Sequence, residues 1–369
     1  MTYRSPVTGR PLVADTPHSL AAFGERWPVV DGIPYLRTDS ERLVAVALDH
    51  LDAGCPDDAL VALLTDQDAW WSGPATGLCE LKQLVRERDT LSLRAAMELL
   101  RMGPVADYFA HRWSDPTYLA GLALVEAHWR EPGTAFELAC GIGHYLRELT
   151  ARGVACVGAD VVFSKCWLAK HWVAPVADYV VFDAAARWPV EAQRFDLVAC
   201  HDAFYFLLDQ PRIAGLLRET VAPSGVLAVS HLHNAQVSGG AMGPARASSE
   251  WAALFPDAVV YDERELRRAL LAGDAPISTR WSDDPAIEAW SIVEADGDDA
   301  GGGAARPLTG GLVMPVVDAV LQPNPLLDGE TPRWPSDRYR AEYGEASTWL
   351  TDSGDAARNR RVLDLPARW

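Results

Sequence analysis

The stretch FELACGIGHYLREL, residues 136–149, decides the fold. An apolar run ending in Glu137, Leu138 and Ala139 meets a turn holding Gly141 and Gly143, and a helical pattern follows. Glycines at such a turn let a backbone approach a ligand closely, and the N–H groups that open the helix can receive polar or anionic groups. A dinucleotide fingerprint would place a third small residue three positions after Gly143, where Leu146 stands. A phosphate-cradling loop would need Gly-Lys-Ser/Thr, and none follows.

Outward from this turn the chain alternates short apolar runs with helical ones: TAFELA, HYLRELTARG, ACVGAD, KCWLAKHW, YVVFDA, FDLVACHD, IAGLLRETVA and GVLAVSHLHN. That alternation is the signature of βαβ units on a parallel sheet buried on both faces. In GVACVGADV a strand delivers Asp160, and a carboxylate there can accept two hydrogen bonds from a ribose diol. YVVFDAAARWP ends a third strand at Asp183, and RFDLVACHDAFYFLLD brings His201 and Asp202 to the carboxyl edge, where open α/β sheets bind ligands.

Taken together, residues 135–235 resemble the class I, Rossmann-like S-adenosylmethionine-dependent methyltransferases. ELACGIG is similar to their first motif, an acid followed by three alternating glycines, with Ala139 in the first glycine's place. RFDLVACHD resembles their fourth motif, and LLRETVAPSGVLAVSHLHN their next helix, turn and strand. The resemblance implies a mostly parallel, seven-stranded α/β sheet and S-adenosyl-L-methionine as cofactor. It assigns cofactor contacts to Glu137, Ala139, Cys140, Gly141, Gly143, His144, Asp160, Val161, Asp183, Ala184 and His201. Asp160 is expected at the ribose, Asp183 and Ala184 at the adenine, and His144 near the methionine part.

Methyl transfer from a sulfonium is an in-line displacement, so alignment does much of the work and a base is needed only if the acceptor must lose a proton. His201 follows the fourth strand while His231 and His233 end the fifth, so all three should face the rim. His201 and His233 are the leading acid–base candidates and His231 the third, histidine titrating near working pH. Asp202, Phe204 and Tyr205 are expected against the acceptor. The same histidines with Asp202 invite a metal reading, but no third ligand is in evident reach and no metal is assigned.

Of the rest, residues 1–38 form a turn-rich β-like module resembling the zinc-ribbon-like front of certain methyltransferases, with Ser5 and Thr8 where a cysteine pair would stand. The resemblance implies a remnant without metal. Residues 39–130 carry helical periodicity, with Asp39 or Ser40 expected to cap a first helix, Asp57 a second, and Trp70, Trp71 and Trp113 to pack a core or lid. Residues 131–296 form the cofactor-binding domain. Gly-rich acidic 297–307 reads as a linker, and 308–369 as an extension wrapping the body or a partner subunit.

A net charge of −18 repels phosphate backbones and disfavours nucleic acid. No stretch approaches a membrane-spanning length and the start lacks a secretory apolar core, so the expected setting is cytoplasmic. The six cysteines form no CxxC pair, and only three lysines stand among the 33 basic residues, a bias of GC-rich bacterial genomes. These features lead to a bacterial enzyme that methylates O or N of a small molecule in specialised metabolism, with a homodimer left open. Two alternatives stand beside it: cyclisation, elimination or decarboxylation on the same fold, and a non-catalytic cofactor-binding partner subunit.

Overall fold

The computed structural model describes residues 2–67, 71, 73–190, 193–237, 245–295, 305–316, 318–347 and 355–369. Trp70, residues 238–244 and residues 297–304 of the Gly-rich linker lie outside the described residues.

The chain opens with an antiparallel sheet of β1 (Val13–Thr16), β2 (Ser19–Ala22), β3 (Glu25–Val30) and β4 (Ile33–Pro34). Ser5 sits in its first turn, its hydroxyl accepting from Val7 N and Thr8 N and donating to Glu25, so a side-chain oxygen organises this bend. Helices α1 (Glu41–Asp52), α2 (Pro56–Leu63), α3 (Leu78–Glu87), α4 (Leu93–Leu99) and α5 (Pro104–His111) follow. The expected caps shift. Ser40 occupies the first cap position without a side-chain bond to the helix, while Asp39 turns to Arg37. The second helix begins at Pro56, whose fixed φ suits a first helical position, so Asp57 lies inside its first turn rather than capping it. Trp113 is buried in a single turn, Arg112–Ser114, that leads to α6 (Pro116–Ala127), while Trp71 is half-buried. Asp115 caps α6 by accepting from Thr117 N at 2.7 Å.

The main sheet holds β5 (Thr134–Leu138), β6 (Ala155–Asp160), β7 (Asp178–Val181), β8 (Phe195–His201), β9 (Val221–His233), β10 (Val259–Asp262) and β11 (Ala289–Ala295), in the order β10-β11-β9-β8-β5-β6-β7. Strands β9 to β7 in that order run parallel, and β11 alone is antiparallel to its neighbours. It is a mostly parallel, seven-stranded α/β sheet of the Rossmann-like kind. Helices α7 (His144–Thr150), α8 (Phe163–Leu168), α9 (Gln210–Thr220), α10 (Ser248–Leu254) and α11 (Glu263–Ala272) cover it. Helix α6 is buried along its whole length, as a helix sandwiched between the sheet and other layers must be.

The N-terminal module is fastened to the sheet edge: Tyr35 bridges Val181 in parallel, and Leu36 N donates to Val181 O at 2.7 Å. The tail lies over the body. Arg306 N bonds Ala127 O, Gly310 N and Leu312 N bond Glu126, and the buried Arg360 donates to Trp113 O and Val313 O. Within it, α12 (Asp337–Tyr343) packs Tyr339 and Tyr343 against α5. Among the described residues no helix is long and apolar enough to cross a membrane.

Candidate active site

The glycine turn is built as its sequence demands. Gly141 and Gly143 have φ of +54° and +81°, and Ala139 holds +56°, a left-handed conformation that costs an alanine roughly 1 kcal/mol. Cys140 N donates to Ala159 O, and Gly141 N donates to Asp160 Oδ2 at 3.0 Å. Asp160 Oδ1 in turn accepts from Val162 N at 3.0 Å and lies 3.6 Å from Lys165 Nζ. Two backbone amides therefore hold this carboxylate, one from each side of the strand tips.

Glu137 lies near the end of β5 with Oε2 buried and unpartnered, beside a cavity of about 10 Å³ lined with Leu122, Tyr145 and His201, space for one water. Burial raises its carboxyl to about 8. Asp183, two residues past β7, accepts from Ala185 N, and the Ala184 carbonyl accepts from the Trp188 indole at 2.9 Å. Val161 is half-buried directly after Asp160. His144 opens α7, bonds Phe109 O through Nε2 at 2.9 Å and packs on Trp113, so it anchors the helix that roofs the turn. Burial lowers its ring to about 3.

At the carboxyl edge the polar residues converge. Asp202 Oδ2 accepts from Tyr108 OH at 2.8 Å, Arg112 Nη1 at 3.0 Å and Thr117 Oγ1 at 3.3 Å, and Oδ1 from Tyr205 OH at 3.0 Å. Burial alone would push Asp202 up, but His231, Arg112 and the two tyrosines hold it down at about 2. His231 lies 3.8 Å from Asp202 through Nε2 and 2.8 Å from Glu263 through Nδ1, and its backbone N–H donates to Glu263 as well. Burial pushes the His231 ring down, yet Glu263 and Asp202 outweigh it and raise the group to about 9. Both Asp202 and His231 have positive φ, +50° and +62°.

His233 packs its ring 4.5 Å from His231 and 4.3 Å from Tyr205, and its buried Nε2 has no hydrogen-bond partner. Burial, then the neighbouring His231, lowers it to about 4. His201 stacks on Tyr145 at 4.0 Å and bonds Ser230 Oγ through Nδ1, and burial lowers it to about 3. Thus His231 and His233 meet at Asp202 with Tyr205, while His201 lies on Tyr145 beside the Glu137 cavity. Phe204 goes elsewhere: it is fully buried against Trp251 and Phe255, because the single turn Phe204–Phe206 points successive rings in different directions, and it belongs to the core. Among the described residues no group of three or more His, Cys, Asp or Glu side chains is arranged to hold a metal ion.

Sequence reasoning missed Tyr108, Arg112 and Glu263. Arg112 lies 90 residues from Asp202, and nothing local in HRWSDP announces the pairing, although the Asp115–Pro116 helix start beside it was readable. Glu263 follows the short strand β10 and reads as an ordinary acid in the first turn of a helix.

Residues 110–273 match the family model described as a methyltransferase domain. Solved structures similar to parts of the chain include a Thermotoga maritima S-adenosylmethionine-dependent methyltransferase described as a possible histamine N-methyltransferase (15% identity, TM-score 0.36, covering 50% of this chain and 90% of that one). A TehB-like methyltransferase from Corynebacterium glutamicum is another (17%, 0.37, 53% and 100%). A third is the amino pentose methyltransferase of calicheamicin biosynthesis from Micromonospora echinaspora (21%, 0.27, 32% and 50%), of which this chain spans half the length. No curated protein matches the chain. The strand order, the glycine turn and the matched residues define a class I methyltransferase domain. The chain therefore carries a methyltransferase domain over residues 110–273.

Proposed function

We propose that the chain methylates an oxygen or nitrogen of a small molecule in bacterial specialised metabolism, working in the cytoplasm and not on nucleic acid. The observation that carries this reading is His233 Nε2, buried and unpartnered beside Asp202 and Tyr205 at the carboxyl edge of the sheet.

The residues present fit the cofactor. Its amino-acid end suits the turn Cys140–Gly143, with the orphaned Glu137 Oε2 as an acceptor beneath. Asp160 and Val161 would hold the ribose, and Asp183 and Ala184 the adenine. S-adenosylmethionine supplies an electrophilic methyl group on a sulfonium. The chain's own task is to align an acceptor O–H or N–H and take its proton. His233, held neutral by burial and by the charged His231, is the base: Nε2 accepts the proton. His231 is already an imidazolium between Glu263 and Asp202, so it orients rather than abstracts. His201, tied to Ser230, orients the cofactor side. Tyr205 and Asp202 form the acceptor wall.

The test is incubation of purified chain with methyl-labelled cofactor and a panel of small hydroxyl and amine acceptors. Label transfer is expected, and His233→Ala should cut it by 10²- to 10⁴-fold while binding of S-adenosylhomocysteine stays at the wild-type level. Substrate turnover without label transfer would replace methylation by another chemistry on this fold. Absence of any turnover with intact cofactor binding would point to a partner subunit.

A further inference from the structure

The additions in front of the methyltransferase domain reach into the adenosine end of its site. Residues 35–37 run beside the tip of β7, through the Tyr35 and Leu36 contacts to Val181, and deliver Arg37 over the tip of β6. Arg37 is buried, yet every arm of its guanidinium is engaged. Nε and Nη2 donate to Asp39, and Nη1 donates to Asp66 Oδ1 at 2.9 Å, Gln67 O at 3.1 Å and Val161 O at 3.2 Å. Asp66, from the residues after α2, uses its other oxygen to accept from Phe163 N at 3.3 Å, at the opening of α8. The pair therefore grips Val161 and Phe163, the two residues flanking Val162. Val162 N is itself one of the two amides that hold the Asp160 carboxylate.

We propose that the buried Arg37–Asp66 pair is the positioning device for the ribose-binding carboxylate Asp160, so that the N-terminal module and helical subdomain set cofactor affinity from outside the family-matched domain. This rests on Asp160 meeting the ribose. The chemical logic is pre-organisation. Asp160 is the last residue of β6, paired with Val181, and the turn that follows has no ladder of its own; a turn clamped on both sides loses little freedom when a ligand orders it. An arginine fork suits the task because its donors are fixed in one plane and reach two carboxylates and two carbonyls together.

A pH signature accompanies the clamp. Burial raises the Asp66 carboxyl to about 6, the Arg37 charge offsetting only part of that. Facing Asp66 are Arg37 and Tyr35 from the N-terminal module and the Phe163 amide from α8; Asp39 shares Arg37, and Lys165 stands beside Asp160. Below about pH 6 the proton on Asp66 weakens its grip on Arg37 and Phe163, and cofactor affinity falls.

The experiment is titration calorimetry on the full chain with two probes, S-adenosylhomocysteine and 5′-methylthioadenosine, which share the adenosine but differ in the amino-acid end. At pH 7.5, Asp66→Asn and Arg37→Lys should each weaken both probes about tenfold and by the same factor. Wild-type affinity for both should drop between pH 7.5 and 5.5, and Asp66→Asn should be flat over that range. A loss confined to S-adenosylhomocysteine, unchanged affinities in both variants, or a pH-independent wild type overturns the proposal. If Asp66→Asn does not fold, Arg37→Lys and the wild-type pH profile decide. A wild type that binds neither probe sinks the cofactor reading itself, an outcome distinct from variants that bind like a competent wild type.

Discussion

Ala139 shows how much a single position can say. The family pattern places glycine there, and the backbone keeps the glycine's conformation at φ +56° while carrying a methyl group. Ala139→Gly should therefore stabilise the chain by roughly 1 kcal/mol, read as a higher denaturation midpoint with S-adenosylhomocysteine affinity unchanged. A lower midpoint would mean that the methyl packs better than the backbone suffers. Glu137 makes the converse case. Its folded value, raised by burial to about 8, means the folded state holds the proton more tightly, so stability is full below the ordinary glutamate range and falls as pH rises toward 8. Glu137→Gln should leave stability at pH 4 unchanged, raise it at pH 8.5, and weaken cofactor binding, since the orphaned oxygen is lost. Equal stability of the two chains at pH 8.5 would contradict the burial argument. That Glu137 and Asp160 fall at the ends of β5 and β6 was legible because strand tip and turn are local patterns. Arg112 and Glu263 were not, because their roles exist only once segments 90 and 32 residues apart in sequence meet at Asp202 and His231.

At the scale of elements, the site is roofed by α5 and held shut by the tail. Phe109 comes within 3.4 Å of where a Cβ on Gly141 would sit, Tyr108 reaches Asp202, and Tyr343 of α12 stacks on Tyr108 at 6.3 Å. Arg360 pins the tail to Trp113 O with two donors, and Trp369 bonds Ala110 O at 2.7 Å. Removing a buried arginine that satisfies two main-chain carbonyls leaves those acceptors bare, at about 2 to 4 kcal/mol. Arg360→Ala should speed proteolytic release of residues 308–369 and hydrogen exchange in α5, with the exchange of β5 and β8 unchanged. Uniform acceleration throughout would show that tail and body unfold as one unit. That the extension wraps something was readable from its prolines and aromatics, whereas its docking on α5 and α6 was not. Tyr339 and Trp369 carry no periodicity that names a partner, and the main-chain carbonyls that receive Arg360 have no sequence signature at all.

For the whole molecule, the buried charges around Asp202 link folding to pH on both the acid and the alkaline side. Asp202, held near 2, contributes stability that is present above the ordinary aspartate range and is lost only as pH falls through that value. His231, raised to about 9, contributes stability that is complete below the usual histidine value near 6.5 and is lost as pH climbs through 9. Both contributions are complete only between the ordinary aspartate range and about pH 6.5, so the stability plateau should lie on the acid side of neutrality and decline from there toward pH 9, sooner than carboxylate chemistry alone would predict. The decline belongs to the Glu263–His231 pair and is on the order of 3 kcal/mol if the whole shift is expressed. Denaturant titrations of wild type and Glu263→Gln at pH 6.5 and 9.5 isolate it: the variant should be the less stable at pH 6.5, and the gap should narrow at pH 9.5, where His231 has lost its charge in both chains. A gap that stays constant with pH would assign Glu263 a role in bonding the His231 and Ser291 groups without holding a charge. Saturating S-adenosylhomocysteine at about 100 times its dissociation constant should add about 2.7 kcal/mol in both chains, because the ribose and glycine-turn contacts lie on the other side of the sheet tips from Glu263.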